Sequence, residues 1–316
     1  MTTLRNKAAL AALFVTLAAG GIQAARAADA APEPNRYAAT IAPAERFEVD
    51  GVLVERHGSR GRPLILIPGL ASGSWVWQDT IRAFAPDHAV YVLTLPGFDG
   101  RPPAGPAPFA AARTAVEELI ATRRLDKPVI VGHSLGGILA LAVAEDKPAL
   151  VGGIVSIDGL PVMPGTEDLA PAQRAQFAER TRAQIGKQPP ALFAQQQQAY
   201  MRTIGVLDMA RADALARLTA RSDPASVGSW AADVLTLDLR PRLKAIQAPV
   251  LTIVPYLDLD SAQQGLTPAG KADYYRALME GTPKLQVATV APARHFAMFD
   301  QPQAVIAAIR TFLGTL

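Results

Sequence analysis

The chain has 316 residues, half of them hydrophobic and 19% charged, with 24 glycines and 26 prolines; it is long enough to bury a large core, and the mix excludes a disordered charged tail, a collagen-like repeat and a coiled coil. Cysteine is absent, which removes disulfides, thiolate metal sites, a cysteine nucleophile and a cysteine-linked lipid. The formal charge of +3 rests on Arg5, Lys7 and Arg26, and the remaining 28 basic residues face 28 acidic ones, so a nucleic-acid partner has no electrostatic support.

Residues 1–27 read as a signal peptide. Arg5 and Lys7 precede an apolar run from Ala8 to Ile22, and Ala25-Arg26-Ala27 fits a small-x-small cleavage site. The run has 15 residues, short of the ~20 that span a bilayer. The expectation is a periplasmic or secreted protein cleaved near Ala27, with no membrane span in the mature chain. Residues 28–45, rich in Ala and Pro at their start, read as a flexible arm.

Short apolar runs then alternate with helical patterns. The alternation from Phe47 to Gly58 around Asp50-Gly51 predicts a hairpin. Leu64–Ile67 and Ala89–Leu95 read as buried strands, each closed by Pro-Gly. Helical spacing runs from Phe109 to Arg124, with Ala112, Val116, Leu119 and Ile120 on one face. A strand at Val129–Val131 leads straight into a helix from Ser134 to about Glu145, and Gly153–Ile157 is a further strand. Between about Leu160 and Leu239 the pattern becomes helical, with Gln195–Gln198 read as a solvated face. Strands resume at Pro249–Val254 and Leu285–Val290, with helices at Ala272–Met279 and Pro302–Leu313. This order predicts an α/β protein with a mostly parallel twisted sheet, helices on both faces and a helical lid over the sheet's carboxyl edge, where ligands bind in such sheets. The core is expected over 46–159 and 240–316, and the lid over 160–239.

The strongest chemical signal is Gly132-His133-Ser134-Leu135-Gly136-Gly137 after an apolar strand and before a helix. Gly-x-Ser-x-Gly in that setting makes a tight strained turn that lifts the serine hydroxyl above the sheet, at the positive end of the following helix. Ser134 is therefore the candidate nucleophile.

Taken with Ile67-Pro68-Gly69-Leu70, Leu95-Pro96-Gly97-Phe98, Pro249–Val254 and His295-Phe296, this motif resembles the α/β-hydrolase superfamily, in its lidded serine esterase and hydrolase branch. The resemblance covers nearly all of residues 46–316. Pro68-Gly69 stands where the family often has His-Gly, and Thr94 where it often has Asp; neither change removes a catalytic side chain. The family's chain order of Ser, acid and His implies that His295, the only histidine after Ser134, is the base. His133 then packs beside the turn, while His57 and His88 are expected to be solvated. For the acid, the resemblance favours Asp258, a few residues beyond the strand at 249–254, with Asp158 after the strand at 153–157 as the alternative. Pro255 replaces the usual glycine of the acid motif, and Asp260 offers a shifted register. The oxyanion hole is expected from the backbone N–H groups of Leu70 and Leu135. Trp75, Trp77, Met163, Phe193, Phe296 and Met298 are candidate pocket walls.

What the resemblance implies is a serine hydrolase that cleaves small to medium carboxylic esters through an acyl-enzyme, without metal or other cofactor and with a small-molecule acyl substrate as its partner. Lactonase, carbon–carbon hydrolase, small-peptide peptidase and cofactor-free haloperoxidase activities use the same side chains. A non-catalytic binding protein on the same fold is the reading from a different class. Natural substrate and oligomeric state are not written in these motifs.

Overall fold

The structure is a computed structural model that describes residues 35–262 and 265–316; the leader expected over 1–27 and the start of the arm lie outside the described residues. Eight strands form one sheet: β1 (Glu45–Val49), β2 (Val52–His57), β3 (Leu64–Ile67), β4 (Val90–Thr94), β5 (Val129–His133), β6 (Gly153–Ile157), β7 (Val250–Pro255) and β8 (Leu285–Val290). Their spatial order is β1-β2-β4-β3-β5-β6-β7-β8. The β1–β2 and β2–β4 pairs are antiparallel, and all the others run parallel. Strands β3 to β7 are buried along their whole length, which is why they read as unbroken apolar runs rather than alternating ones.

Alternate residues of these strands feed two core layers. Ile65, Ile67 and Ile130 face the layer built with α2 (Pro108–Thr122) and α3 (Leu135–Asp146). Leu64, Leu66, Val129 and Val131 face the other layer, which α1 (Gln78–Phe84) and α11 (Pro302–Leu313) cover with Ile81, Phe84, Val305, Ile309 and Phe312. From β3 the chain crosses to β4 on one side and then returns to β5 on the other. Such a reversal leaves a crevice at the carboxyl ends of the strands. The turns after β3 and β5 meet there.

The cap lies between β6 and β7. It comprises α4 (Pro171–Gly186), α5 (Pro190–Tyr200), one turn of π-helix at Met201–Gly205, α6 (Met209–Thr219) and α7 (Pro224–Thr236). Helices α4 and α7 touch backbone to backbone: a side chain at Gly228 would sit 2.8 Å from the Arg182 carbonyl. An antiparallel bridge between Val162 and Asp238 closes the neck of the cap. Asp238 there takes hydrogen bonds from Arg240 and Arg174, which outweigh its burial and hold its carboxyl at about 2. Beyond the cap, α8 (Asp258–Ala262) follows β7, α9 (Pro268–Leu278) precedes β8, and α10 (Ala297–Asp300) precedes α11.

Two expectations need correction here. The described part of the arm is docked rather than loose: Asn35 donates to the Ala214 carbonyl, Tyr37 accepts from Arg211, and the Ile41 N–H bonds Gln78. His57 is also not solvated. It ends β2, is buried on a strand paired on both sides, and burial lowers its pKa. His88 is half-buried, with Nδ1 2.9 Å from the Arg62 carbonyl.

Candidate active site

Ser134 sits between β5 and α3 with φ 52° and ψ −119°, a strained conformation for a residue with a side chain. Three glycines make this turn possible. A Cβ at Gly132 would lie 2.1 Å from the Gly136 carbonyl oxygen, and one at Gly136 would lie 2.2 Å from the Ile67 oxygen. A Cβ at Gly69 would lie 2.8 Å from His133 Nδ1 and 3.3 Å from the Ser134 Cβ. The loop after β3 therefore lies directly against the serine turn. The Ser134 N–H donates to the Ile157 carbonyl at 2.8 Å, tying the turn to the end of β6.

His295 follows β8, and its side chain is only 11% exposed. Its Nδ1 lies 2.6 Å from Asp158 Oδ2. Asp158 is the first residue after β6 and has φ 51°; its N–H donates to the Ile253 carbonyl at 3.0 Å. The other carboxylate oxygen accepts the Tyr275 hydroxyl from α9. Burial opposes the charge on Asp158, but the attraction of His295 and the hydrogen bonds from His295 and Tyr275 prevail and hold it at about 2. The carboxylate brought to the imidazole is thus Asp158.

Asp258, the acid favoured from the motif, does not reach the ring. It is exposed at the start of α8, three residues beyond the last residue of β7, and the helix turns it towards solvent. Asp260, the shifted alternative, pairs instead with the guanidinium of Arg294 at 2.9 and 3.2 Å.

His133 packs beside the turn, as expected, and has a further part that the sequence did not reveal. Burial, reinforced by the adjacent His295 ring, pushes it down to about 3, so it is neutral. With its Nε2 3.0 Å from the His295 carbonyl, the neutral ring donates there and holds the backbone of the His295 loop. The cap grips the same loop from the other side. The His295 N–H donates to the Ile204 carbonyl at 3.1 Å and the Phe296 N–H to Gly205 at 2.9 Å, both within the π-helical turn. No sequence pattern marks those carbonyls, because a backbone acceptor has no residue signature.

Ser134 and His295 line one cavity of about 140 Å³ beneath the cap. Leu70, Ala71, His133 and Phe296 complete the sheet-side wall, and Phe193, Tyr200 and Val227 are among the cap's contributions. Of the other candidate walls, Trp75, Trp77 and Met298 lie in the sheet core, and Met163 packs against Ala178, Ala232 and Leu235 within the cap. Gln196 and Gln197 also line the cavity, so the glutamine run is not simply a solvated face; only Gln195 and Gln198 are exposed. Leu70 borders the cavity, and Leu135 opens α3 immediately after the serine.

A serine on a strained strand-to-helix turn, at the carboxyl edge of a mostly parallel sheet and beneath a helical cap, defines a hydrolase class. The chain belongs to the alpha/beta hydrolase family, whose model matches residues 64–308. It is 28% identical over 261 residues to the biotin biosynthesis bifunctional protein BioHC of Cellvibrio japonicus, covering 80% of this chain but 48% of that protein, so the chain spans about half the length of that relative. It is 24% identical over 281 residues to the pimeloyl-[acyl-carrier protein] methyl ester esterase of Aeromonas hydrophila, covering 83% of this chain and 99% of the esterase. Among solved structures, a thermophilic esterase from Thermogutta terrifontis superimposes with a TM-score of 0.69 at 20% identity, covering 86% and 99% of the two chains. Among the described residues, no helix is long and apolar enough to cross a membrane.

Proposed function

We propose that the protein is an exported serine hydrolase that cleaves carboxylic esters of small to medium acyl groups, with Ser134, His295 and Asp158 as its triad. The observation that carries this reading is the Asp158–His295 pair, 2.6 Å apart, on the cavity that the strained Ser134 also lines. The Ser134 hydroxyl attacks the ester carbonyl while His295 takes its proton at Nε2. Asp158 fixes the tautomer through Nδ1–H and stabilises the imidazolium. The backbone N–H groups of Leu70 and Leu135 stabilise the oxyanion, which develops close to the helix N-terminus. His295 then protonates the departing alkoxide. The resulting acyl-enzyme is cleared by water, with His295 as base. A cavity of about 140 Å³ is close in size to one that holds benzene, which suits a short acyl group.

Replacement of Ser134 by alanine tests the reading. Ser134→Ala should lower ester turnover by about a millionfold, to the residue left by binding and the oxyanion site, and should abolish labelling by a fluorophosphonate without unfolding the protein. Turnover within tenfold of the parent in a pure sample defeats the assignment. Export is supported by the composition of residues 1–27. N-terminal sequencing of protein exported from a Gram-negative host should give a first residue near Ala28, and an intact Met1 on the exported protein contradicts this.

A further inference from the structure

The cavity under the cap has two chemically different walls. The sheet side carries Ser134 and His295, while the cap side carries three carboxamides and two hydroxyls among its apolar residues: Thr181 and Gln184 from α4, and Gln196, Gln197 and Tyr200 from α5. The Gln196 amide oxygen is already occupied, accepting from Gln188 at 2.7 Å. Among the described residues, the side chains of Gln184 and Gln197 make no hydrogen bond. Gln184 is exposed at the mouth, and Gln197 is half-buried. Among the described residues, no Asp, Glu, Lys or Arg borders the cavity.

A carboxamide offers two donors and one acceptor oxygen, and leaving it unpaired in an apolar site costs about 1–3 kcal/mol once water is displaced. A purely alkyl acyl group would displace that water and leave Gln197 unpaired. A carboxylate would enter a cavity with no cation to balance it. An acyl group with its own amide or hydroxyl, a few atoms from the scissile carbonyl, would satisfy the glutamines and stay neutral.

Resting on the ester-hydrolase reading above, we propose that the cap glutamines, Gln197 foremost, select short uncharged acyl groups that carry an amide or hydroxyl function. Simple hydrophobic ranking runs the other way, since an apolar pocket prefers the alkyl chain. The two alternatives therefore predict opposite orders.

Three methyl esters of matched shape decide the matter: methyl N-acetylglycinate, methyl 4-methylpentanoate and monomethyl succinate. The expected result is a kcat/KM for the N-acetylglycinate about tenfold above that of its alkyl isostere, the order of one or two neutral hydrogen bonds, with the succinate anion below both. Gln197→Leu, which keeps the side chain's size, should erase or invert the amide-to-alkyl ratio while the melting temperature stays near that of the parent. An equal or higher kcat/KM for the alkyl ester, a preference for the succinate, or an unchanged ratio in Gln197→Leu overturns the proposal. If none of the three is hydrolysed and Ser134 resists the fluorophosphonate, the ester-hydrolase reading has failed instead. Calorimetric binding of the same three compounds to Ser134→Ala still reads the cavity in that case: tighter binding of the amide supports the proposal, and equal or tighter binding of the alkyl ester overturns it.

Discussion

The carboxyl ends of β6 and β7 are neighbours in the sheet, and each leads to an aspartate, yet the two carboxylates have opposite settings. After β6, Asp158 follows the strand at once, turns through a positive φ and packs against His295 and Tyr275 with its side chain 15% exposed. After β7, two residues intervene before α8 begins, and Asp258 stands exposed on its first turn. The β7 side still serves the histidine loop, but at one remove: Asp260 clamps Arg294, the residue before His295, while the Arg294 N–H donates to Asp300 at 2.9 Å. An aspartate becomes the histidine's partner through the backbone angle at which it leaves the strand and the donors that wait for it. Proximity to the right edge is not enough.

The largest effect expected from this difference is in turnover. Asp158→Asn keeps the shape but removes the charge and favours the wrong tautomer of His295, a change that costs about ten-thousandfold in serine proteases. Asp258→Asn should leave kcat within about twofold of the parent, as exposed substitutions away from the site do. Steady-state kinetics on the two variants, with folding matched by circular dichroism, separates them. A crippled Asp258→Asn beside a near-normal Asp158→Asn would reverse the comparison.

A third carboxylate on the same edge sharpens the contrast. Asp99, beyond β4, packs against the loop after β3, where a Cβ on Gly73 would lie 2.3 Å from its Oδ2. Its main ionic partner is Arg221 at 3.3 Å, and its side chain is 16% exposed. Burial outweighs that partner and pushes Asp99 up to about 6, whereas the better-bonded Asp158 is held at about 2. The folded protein thus binds the Asp99 proton more tightly than the unfolded chain does. The stability it contributes is full below the unfolded value of 3.8 and is lost as pH rises through about 6. The loss is at most about 3 kcal/mol. Asp99→Asn should therefore raise the melting temperature at pH 8 relative to the parent and flatten its fall between pH 5 and pH 8. A parallel fall in both proteins would mean that Asp99 is ionised in the fold at no cost.

Much of this was legible in the sequence because it is carried by pattern. Unbroken apolar runs announced the buried strands, and Gly132-His133-Ser134-Leu135-Gly136 announced the turn, since no other residue type fits where a Cβ would meet the Gly136 or Ile67 carbonyl. What the sequence left open depends on angles and on distant partners. Asp158 and Asp258 both follow apolar strands, and only the φ of 51° at Asp158 and the helix begun at Asp258 distinguish them. The grip of the π-helical turn on the His295 loop uses main-chain carbonyls. The inward half of the glutamine run follows from how α5 is rotated against the core, where Phe193 is buried and Leu192 is 44% exposed.

The smallest of the expected effects tests whether the β7–β8 connection contributes to the acid after all, through Tyr275 rather than Asp258. Tyr275 lies on α9, is buried, and donates its hydroxyl to Asp158. Burial first, and then the charge on Asp158, push its pKa well above the usual value, so the phenol keeps its proton and acts as a donor throughout the working pH range. Asp158 also feels the positive charge of Lys271 from the same helix. Tyr275→Phe leaves Lys271 and the packing of the ring in place and removes one charge-assisted hydrogen bond. With that bond gone, Asp158 is freer to rotate away from Nδ1 and holds the His295 ring less firmly in its working orientation. The expected result is a fall in kcat of about tenfold, the order of one such bond, with KM little changed. A variant that loses thermal stability but keeps its kcat would make Tyr275 a packing residue, and the positioning of Asp158 would then rest on the backbone turn after β6 alone.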